Sequence, residues 1–477
     1  MTDVNPADIA ALMDAANDEA ARQAAIVRAR KYHAGDQFVR LDARLRAYLK
    51  DTGGLADSDA LRLNVCRTVV SAVVERLIVA QVTSGDAASA QLAADIWRAS
   101  RMDAMQDDVH EATVRDGESF LVLGWDAAQA LPVMVPHPRY TATDLAAMRP
   151  EAIGETLTGD GYGVRAFYPD DDDTQPMLFA SKQWTEVRYD GGKRTTRRRL
   201  TVYHPDRIER YVRTRDWELL ETVPWLDRQR LPLGIPVVHV RNPGLHAEAW
   251  DAIPLQNAIN KLLIDLMTAS DMTAFRILAA FGWIPTTDGA PLRADGANAL
   301  TIEPGAIIGS ASKDGSLTAI DGADLAPALE SINSLIAWTA MVTDTPVSRF
   351  VFTRAVASAA SQKEGNAPLL NKVQKRQTLI GDAYADAMGL ARRMAATFGR
   401  ATDSTAPYRA EWRPAEEQDE EAEMKALRIK RELGVPQEQL WIELGYSQEQ
   451  IAQWRAQAPP PASERAIASE GAASATV

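Results

Sequence analysis

The stretch Trp250-Asp-Ala-Ile-Pro-Leu-Gln-Asn-Ala-Ile-Asn-Lys-Leu-Leu-Ile-Asp-Leu-Met-Thr-Ala-Ser-Asp-Met-Thr-Ala-Phe275 repeats its apolar residues at helical spacing. Leu255, Ile259, Leu262, Leu263 and Leu266 fall on one stripe, with Asn257, Asn260, Lys261 and Asp265 off it. At 1.5 Å per residue this is a rod of roughly 40 Å. A second helix is expected from about Leu325 to Val342. Between the two lie short strands, Ile277 to Ile284, Ala299 to Ile302 and Ala306 to Gly309, punctuated by Gly289, Gly296, Gly305 and Gly315. Two helices flanking a compact β insertion make a stalk with a knob at its end.

Downstream, an irregular segment from Asp344 to Arg354 precedes a very long helical stretch, Ser358 to Phe398, whose first turns contain Gly365 and Pro368. Pro414 to Trp454 reads as three short helices separated by Gly434-Val-Pro436 and Gly445-Tyr-Ser447. The Pro, Ala and Ser stretch from Pro459 onward is expected to be disordered. Upstream, helices are expected over Ala21 to Leu49 with a break at Gly35-Asp36, over Leu61 to Val79, and over Ala87 to Gly117, so the chain reads as helical as far as Gly117. In the second of these Val65, Val69, Val73 and Leu77 form one face. The pattern then changes to strands: Ser119 to Trp125, Pro132 to Val135, Val164 to Tyr168, Met177 to Tyr189, Arg197 to His204 and Arg207 to Arg213, with Asp190-Gly-Gly192 as a hairpin turn.

At 477 residues and 46% hydrophobic content the chain has material for more than one structural region. The apolar run Val69 to Ala80 is broken by Glu75 and Arg76, so no membrane span is expected. The first residues lack the basic and apolar regions of a secretory signal, which points to synthesis and retention in a cytoplasm. The single cysteine, Cys66, excludes a disulfide within the chain and reads as a small core residue. A net charge of -13 argues against a protein that grips nucleic acid over its whole surface. It does not exclude a DNA conduit, because a weakly repulsive wall lets a polyanion slide.

Enzyme chemistry finds no footing. The histidines at 33, 110, 137, 204, 239 and 246 are scattered, without an H-E-x-x-H motif, and neither a G-x-x-x-x-G-K-[ST] loop nor a G-x-S-x-G elbow occurs. His110-Glu111 and Asp116-x-Glu118 read as surface helix charges. The run Asp170 to Asp173 reads as a solvated loop, since consecutive acids cannot all face one ion. Arg197, Arg198 and Arg199 form a basic strand edge, open to DNA or to a partner. No cofactor and no metal is expected.

In its order of elements the chain resembles the portal proteins of tailed bacteriophages, in particular the long-tailed siphophage class. The likeness spans roughly residues 20 to 455. Leu231-Pro-Leu-Gly-Ile-Pro-Val-Val-His-Val-Arg-Asn-Pro243 is similar to the strand that leads into the stem, and Gln256-Asn-Ala-Ile-Asn-Lys-Leu-Leu-Ile-Asp265 to the start of the first stem helix. Asp344-Thr-Pro-Val-Ser348 resembles the opening of a channel loop. Glu364-Gly-Asn-Ala-Pro-Leu-Leu-Asn-Lys-Val-Gln-Lys-Arg-Gln377 resembles the long helix that follows. The family often has a Ser-Gly pair followed by a basic residue at that junction, where this chain has Ser358-Ala-Ala-Ser-Gln-Lys363.

The resemblance implies an α+β, mainly helical portal fold with a β-rich wing and clip. Residues 1–250 would be wing and outer body, 251–275 and 325–343 the two stem helices, and 276–324 the clip. Residues 344–357 would be the channel loop, 358–400 the long helix, 401–458 the crown, and 459–477 a disordered tail. It implies a non-enzymatic homo-oligomeric ring of about twelve copies at one capsid vertex of the virion, assembled in the host bacterial cytoplasm. Double-stranded DNA would pass through during packaging, retention and ejection. The implied partners are the terminase large subunit, a head-completion or adaptor protein, and the major capsid and scaffolding proteins. Arg349 and Arg354 would meet phosphate, with Phe350, Val351 and Phe352 packing against equivalent loops and Lys261 a further DNA-facing candidate on the stem. The alternative is another virion structural protein, such as a head-tail adaptor or capsid component.

Overall fold

A computed structural model of the chain describes residues 17–37, 63–140, 163–190, 193–274, 277–281, 286–287, 290–291, 316–320, 324–350, 359–399, 405–416, 420–444, 446, 450–451 and 454. The N-terminal helices are α1 (Asn17–Ala34), α2 (Val65–Val74), α3 (Ala87–Ala99) and α4 (Met102–Asp116). Asn64 caps α2 by accepting from the Arg67 N–H, and Asp86 caps α3 by accepting from the Ser89 N–H at 2.8 Å.

Three expectations for this region need correction. The second helix ends at Val74, not near Val79, because the chain turns at Glu75 and Arg76 to deliver Val79–Ser84 as strand β1, although Leu77 stays fully buried. The region is therefore not all helical. The single helix expected over Ala87 to Gly117 is two helices, broken where Arg101 adopts a left-handed backbone with φ 54°. The stop at Gly117 stands: its φ is 94°, and a Cβ there would collide with the Leu245 carbonyl.

Strands β2 (Glu118–Asp126), β3 (Leu131–Pro138), β4 (Val164–Phe167), β5 (Phe179–Asp190), β6 (Lys193–Tyr203), β7 (Arg207–Arg213), β8 (Trp217–Pro224) and β9 (Val237–Arg241) follow. They form two antiparallel sheets, one in the order β3-β2-β9 and one in the order β4-β5-β6-β7-β8. The β5–β6 hairpin closes with Asp190 opposite Lys193, where the Gly-Gly turn was expected. Strand β8 carries Glu218 and Glu221 among exposed apolar residues and has no clean alternation, so it was not foreseen.

Then come α5 (Ala252–Ala274), β10 (Ile277–Phe281), the short β11 (Thr286–Thr287) and β12 (Ala290–Pro291), β13 (Ser316–Ile320) and α6 (Ala326–Val342). The chain ends with α7 (Ala359–Phe398), β14 (Tyr408–Trp412), α8 (Glu420–Glu432) and α9 (Gln437–Glu443). β10 pairs antiparallel with β13, so α5 and α6 run as an antiparallel hairpin with the strands at its far end. The strands expected at Ala299 to Ile302 and Ala306 to Gly309, and the tail from 459, lie outside the described residues. Of the three short helices expected after Pro414, α8 and α9 are present, separated by Gly434 at φ 85°.

The core is built around α7. Leu369, Val373, Ile380, Tyr384, Met388, Ala391 and Met394 recur at helical spacing and are fully buried. They pack against α2, α3, α4 and the β3-β2-β9 sheet. Each large side chain so buried contributes about 1.5–3 kcal/mol, enough to hold a forty-residue helix that no local propensity could fix. Strand β14 pairs antiparallel with β1 and thereby clasps the segment after α7 to the N-terminal helices. Cys66 is wholly buried, and burial pushes its thiol up to about 12, so it is an inert core residue, as expected. The architecture is α+β, with helices and antiparallel sheets.

Candidate functional site

The base of α5 does not expose its polar side. Gln256 and Asn260 are fully buried, which corrects the expectation that Asn260 lies off the covered face. The first N–H groups of α2 have no partner within the helix, and Gln256 Oε1 accepts from Val65 N–H at 2.8 Å. Gln256 Nε2 donates to Asn260 Oδ1 at 2.9 Å, Asn260 Nδ2 to Gln37 Oε1 at 2.6 Å, and Gln37 Nε2 to Asn64 Oδ1 at 3.1 Å. Asn257 accepts from the Tyr32 hydroxyl at 2.6 Å. This chain of amides, which ends on the Asn64 cap of α2, ties the base of the α5–α6 hairpin to the body.

Above that base the hairpin is thinly covered. Ile259, Ile332, Ile336 and Val65 form a small cluster, with Leu262, Leu263, Leu266 and Leu335 packed on it. Among the described residues only one side of α6 is covered. Trp338, Met341 and Val342 are 54%, 69% and 46% exposed, and Leu329 and Val347 stand in the open on the same segment. Apolar side chains of this size at i, i+3 and i+4 form a continuous stripe.

The segment after α6 is held at its root. Thr343 Oγ1 donates to Thr339 O at 2.7 Å, and Thr345 N–H to Ala340 O at 2.9 Å. Asp344, at φ 47°, turns the chain into a single 3₁₀ turn over Val347–Arg349. The Lys372 ammonium donates to the Thr343 carbonyl, capping the C-terminal end of α6 from α7. Lys372 also pairs at 2.8 Å with Glu248, which Arg376 pairs as well, and all three side chains are at most 9% exposed. Glu248 just before α5 and the end of α6 are thus both stapled to the first half of α7, through Lys372 and Arg376. Nothing in the sequence marks Glu248, Lys372 and Arg376, since the residues come from distant segments and match no motif.

Of the candidate phosphate contacts, Arg349 lies at the exit of this root and pairs with Glu75 on the turn after α2. Phe350 is half-buried on both the main core and the stem cluster, which leaves part of its ring for a neighbour. Val351, Phe352 and Arg354 lie outside the described residues. Lys261 is exposed on α5 and pairs with Asp265 one turn on. The structure therefore places Arg349 and Phe350 at one joint and Lys261 away on the helix.

Other charged motifs prove structural. His110, Asp116 and Glu118 are buried, not surface charges as their sequence suggested. Asp116 accepts from Arg30 at 2.6 Å and also pairs with Arg115. Glu118 pairs with Arg22 at 2.8 Å and with His239 at 2.9 Å, Arg139 lies 3.9 Å away, and His239 also contacts the Tyr168 hydroxyl. Burial would raise the Glu118 carboxyl, but the Arg139 charge, the His239 hydrogen bond and the Arg22 charge outweigh it and hold it well below the usual range. In the Asp170 to Asp173 run, Asp172 bonds Thr174 and Asp173 pairs with Arg241 at 2.9 Å. Among the described residues no group of three or more potential metal-ligating side chains converges, and no helix is long and apolar enough to cross a membrane.

Comparison with known proteins bears on this arrangement. The family model described as "Phage portal protein, SPP1 Gp6-like" matches residues 163–459, a span that takes in the β4-β5-β6-β7-β8 sheet, the α5–α6 hairpin, α7 and the helices after it. No curated protein matches the chain.

Proposed function

The chain belongs to the SPP1 Gp6-like family of phage portal proteins, and we propose from this that it assembles head to tail into a closed ring, with the α5–α6 hairpin as the stem. Portal proteins are structural components of the capsid vertex, not enzymes. The observation that carries the reading is the stripe Trp338, Met341 and Val342, which the described residues of the subunit leave exposed. Head-to-tail contacts close into rings when the rotation per subunit divides a full turn, and a second copy supplies the apolar surface that this stripe lacks.

In this ring, of about twelve copies and of the siphophage type, residues 276–324 form the clip that meets the terminase large subunit and later a head-completion or adaptor protein. Residues 1–250 face major capsid and scaffolding proteins, and 401–458 form the crown. The loop 344–357 points into the channel, with Arg349 and Arg354 centring duplex DNA by its phosphates during packaging, retention and ejection. The stapled root supports this role: a loop that meets a moving polymer needs a base that does not yield.

Negative-stain electron microscopy of the purified chain, with mass measured in parallel, is expected to show rings with an axial hole wide enough for duplex DNA. Trp338→Glu is expected to leave folded subunits that no longer close. Monomers of the unaltered chain at high concentration would reject the ring and favour an adaptor-like role. Unimpaired rings from the Trp338→Glu variant would move the interface elsewhere.

A further inference from the structure

Beyond the stem, one feature of the fold is not absorbed by a channel. Strand β4 pairs with β5 only as far as Lys182, and β7 pairs with β6 only from Arg198. Among the described residues Glu186–Asp190 and Lys193–Arg197 therefore pair only with each other, as a two-stranded arm of about 17 Å that runs past the edge of the sheet. A lone hairpin of this length is marginally stable in water, and this one is loaded with like charge. Residues 182–199 hold seven cationic and two anionic side chains, a net charge of +5, which leaves -18 on the other residues of a chain whose total is -13.

The internal pairing does not neutralise it. Glu186 is shared between Arg188 at 3.0 Å and Arg199 at 2.7 Å. Lys193, Arg194 and Arg197 are exposed and have no acidic partner among the described side chains. In the register Arg194 stands opposite Tyr189 and Arg188 opposite Thr195, so these cations face no carboxylate across the strands, and a bound polyanion would answer the excess positive charge. The register places cations on both faces. Within the arm Lys193, Arg197 and Arg188 lie on one side and Arg194 on the other, and residues on one face recur about every 6.8 Å.

We propose that this β5–β6 arm is a second DNA contact, outside the channel, that seats in a groove of duplex DNA with a phosphate row on either side. A two-stranded ribbon fits the major groove, and guanidinium groups bind phosphate oxygens bidentately. An acidic protein segment would cover one face and leave the other unanswered, so the two-faced charge favours the duplex. The arm gives sequence-independent grip, because its cations meet the backbone and not the base edges.

The test uses the full chain and covalently closed circular duplex, which cannot thread a closed ring and so reports only outside contacts. Binding is followed over a range of salt concentrations. Replacing Lys193→Ala, Arg194→Ala and Arg197→Ala together should lower affinity on the order of a hundredfold at 0.1 M salt and flatten the log–log salt slope by about 2.7. The charge-keeping set Lys193→Arg, Arg194→Lys and Arg197→Lys should retain both. Rings of unchanged mass from the alanine variant would show that the fold survives.

The Arg349→Ala, Arg354→Ala variant should bind circular duplex as the unaltered chain does, which separates the arm from the channel loop. If the chain forms no rings yet binds circles through the arm, the ring reading falls and the arm stands. An alanine variant that binds circles undiminished would overturn the proposal. So would polyglutamate that competes as well as duplex at equal charge, which would hand the arm to an acidic protein.

Discussion

At position 110 an imidazole lies between the rings of Tyr384 and Trp412, its Nε2 3.2 Å from the Tyr384 hydroxyl and its side chain fully enclosed. Burial lowers its pKa from 6.5 to about 4. The folded protein therefore keeps His110 neutral while the unfolded chain takes up a proton below pH 6.5, so its contribution is full above 6.5 and lost as pH falls toward 4. At about 1.4 kcal/mol per pH unit, the loss by pH 5 is about 2 kcal/mol. Burial lowers His33, His137, His204 and His239 as well, which adds loss of the same sign. Glu118, held low, keeps its contribution above its ordinary value near 4.5 and yields it only below that. The window from pH 6.5 to 4.5 thus belongs to the histidines. His110→Gln is expected to reduce the stability lost between pH 7 and pH 5 by about 2 kcal/mol in urea denaturation at both values; an unchanged loss would mean that the site admits water. The sequence hid this residue. His110-Glu111 and Asp116-x-Glu118 look like surface helix charges because their partners Arg30, Arg22, Arg139 and His239 lie far along the chain. Only the fold brings them together.

Among elements, the long ones were legible and the joints were not. Helices α5, α6 and α7 begin and end within a few residues of where periodicity puts them, because each carries several turns of apolar repeat. The turn after Val74 and the break at Arg101 were missed, since an apolar run such as Val69 to Ala80 serves a helix and a buried strand equally well. The pairing of β1 with β14 joins segments more than three hundred residues apart, and neither strand shows its partner locally. The Glu248 staple is another joint of this kind, and its strength can be measured. Replacing Glu248→Gln leaves the Lys372 and Arg376 charges buried without their carboxylate. Removing one member of a buried ion group costs about 3–5 kcal/mol, so the variant's urea midpoint should fall accordingly. A loss under about 1 kcal/mol would show that water replaces the carboxylate and that the loop root is not rigidly held.

For the molecule as a whole, the order of stalk, β knob, second stalk helix, loop and long helix could be read because each part has its own periodicity and length. What the periodicity could not say is which faces remain open, since a stripe such as Trp338, Met341 and Val342 looks in sequence like any core stripe. On the proposed reading, Arg349 and Arg354 would separate the assembly of the ring from its transaction with DNA. Arg349 pairs with Glu75, whose side chain is 55% exposed, so its loss strands no buried charge and costs at most about 1 kcal/mol. The apolar stripe of α6 lies outside that pair and is untouched by it. Changing both arginines to alanine should therefore give rings of unaltered mass, while DNA retention or packaging changes, because the proposed phosphate contacts of the loop are gone. Retention is read as nuclease-protected DNA in assembled particles. Rings that fail to form would make these residues part of the interface, with Arg349 acting through the Glu75 turn; rings that form and hold DNA as before would move the DNA contact to other parts of the channel wall.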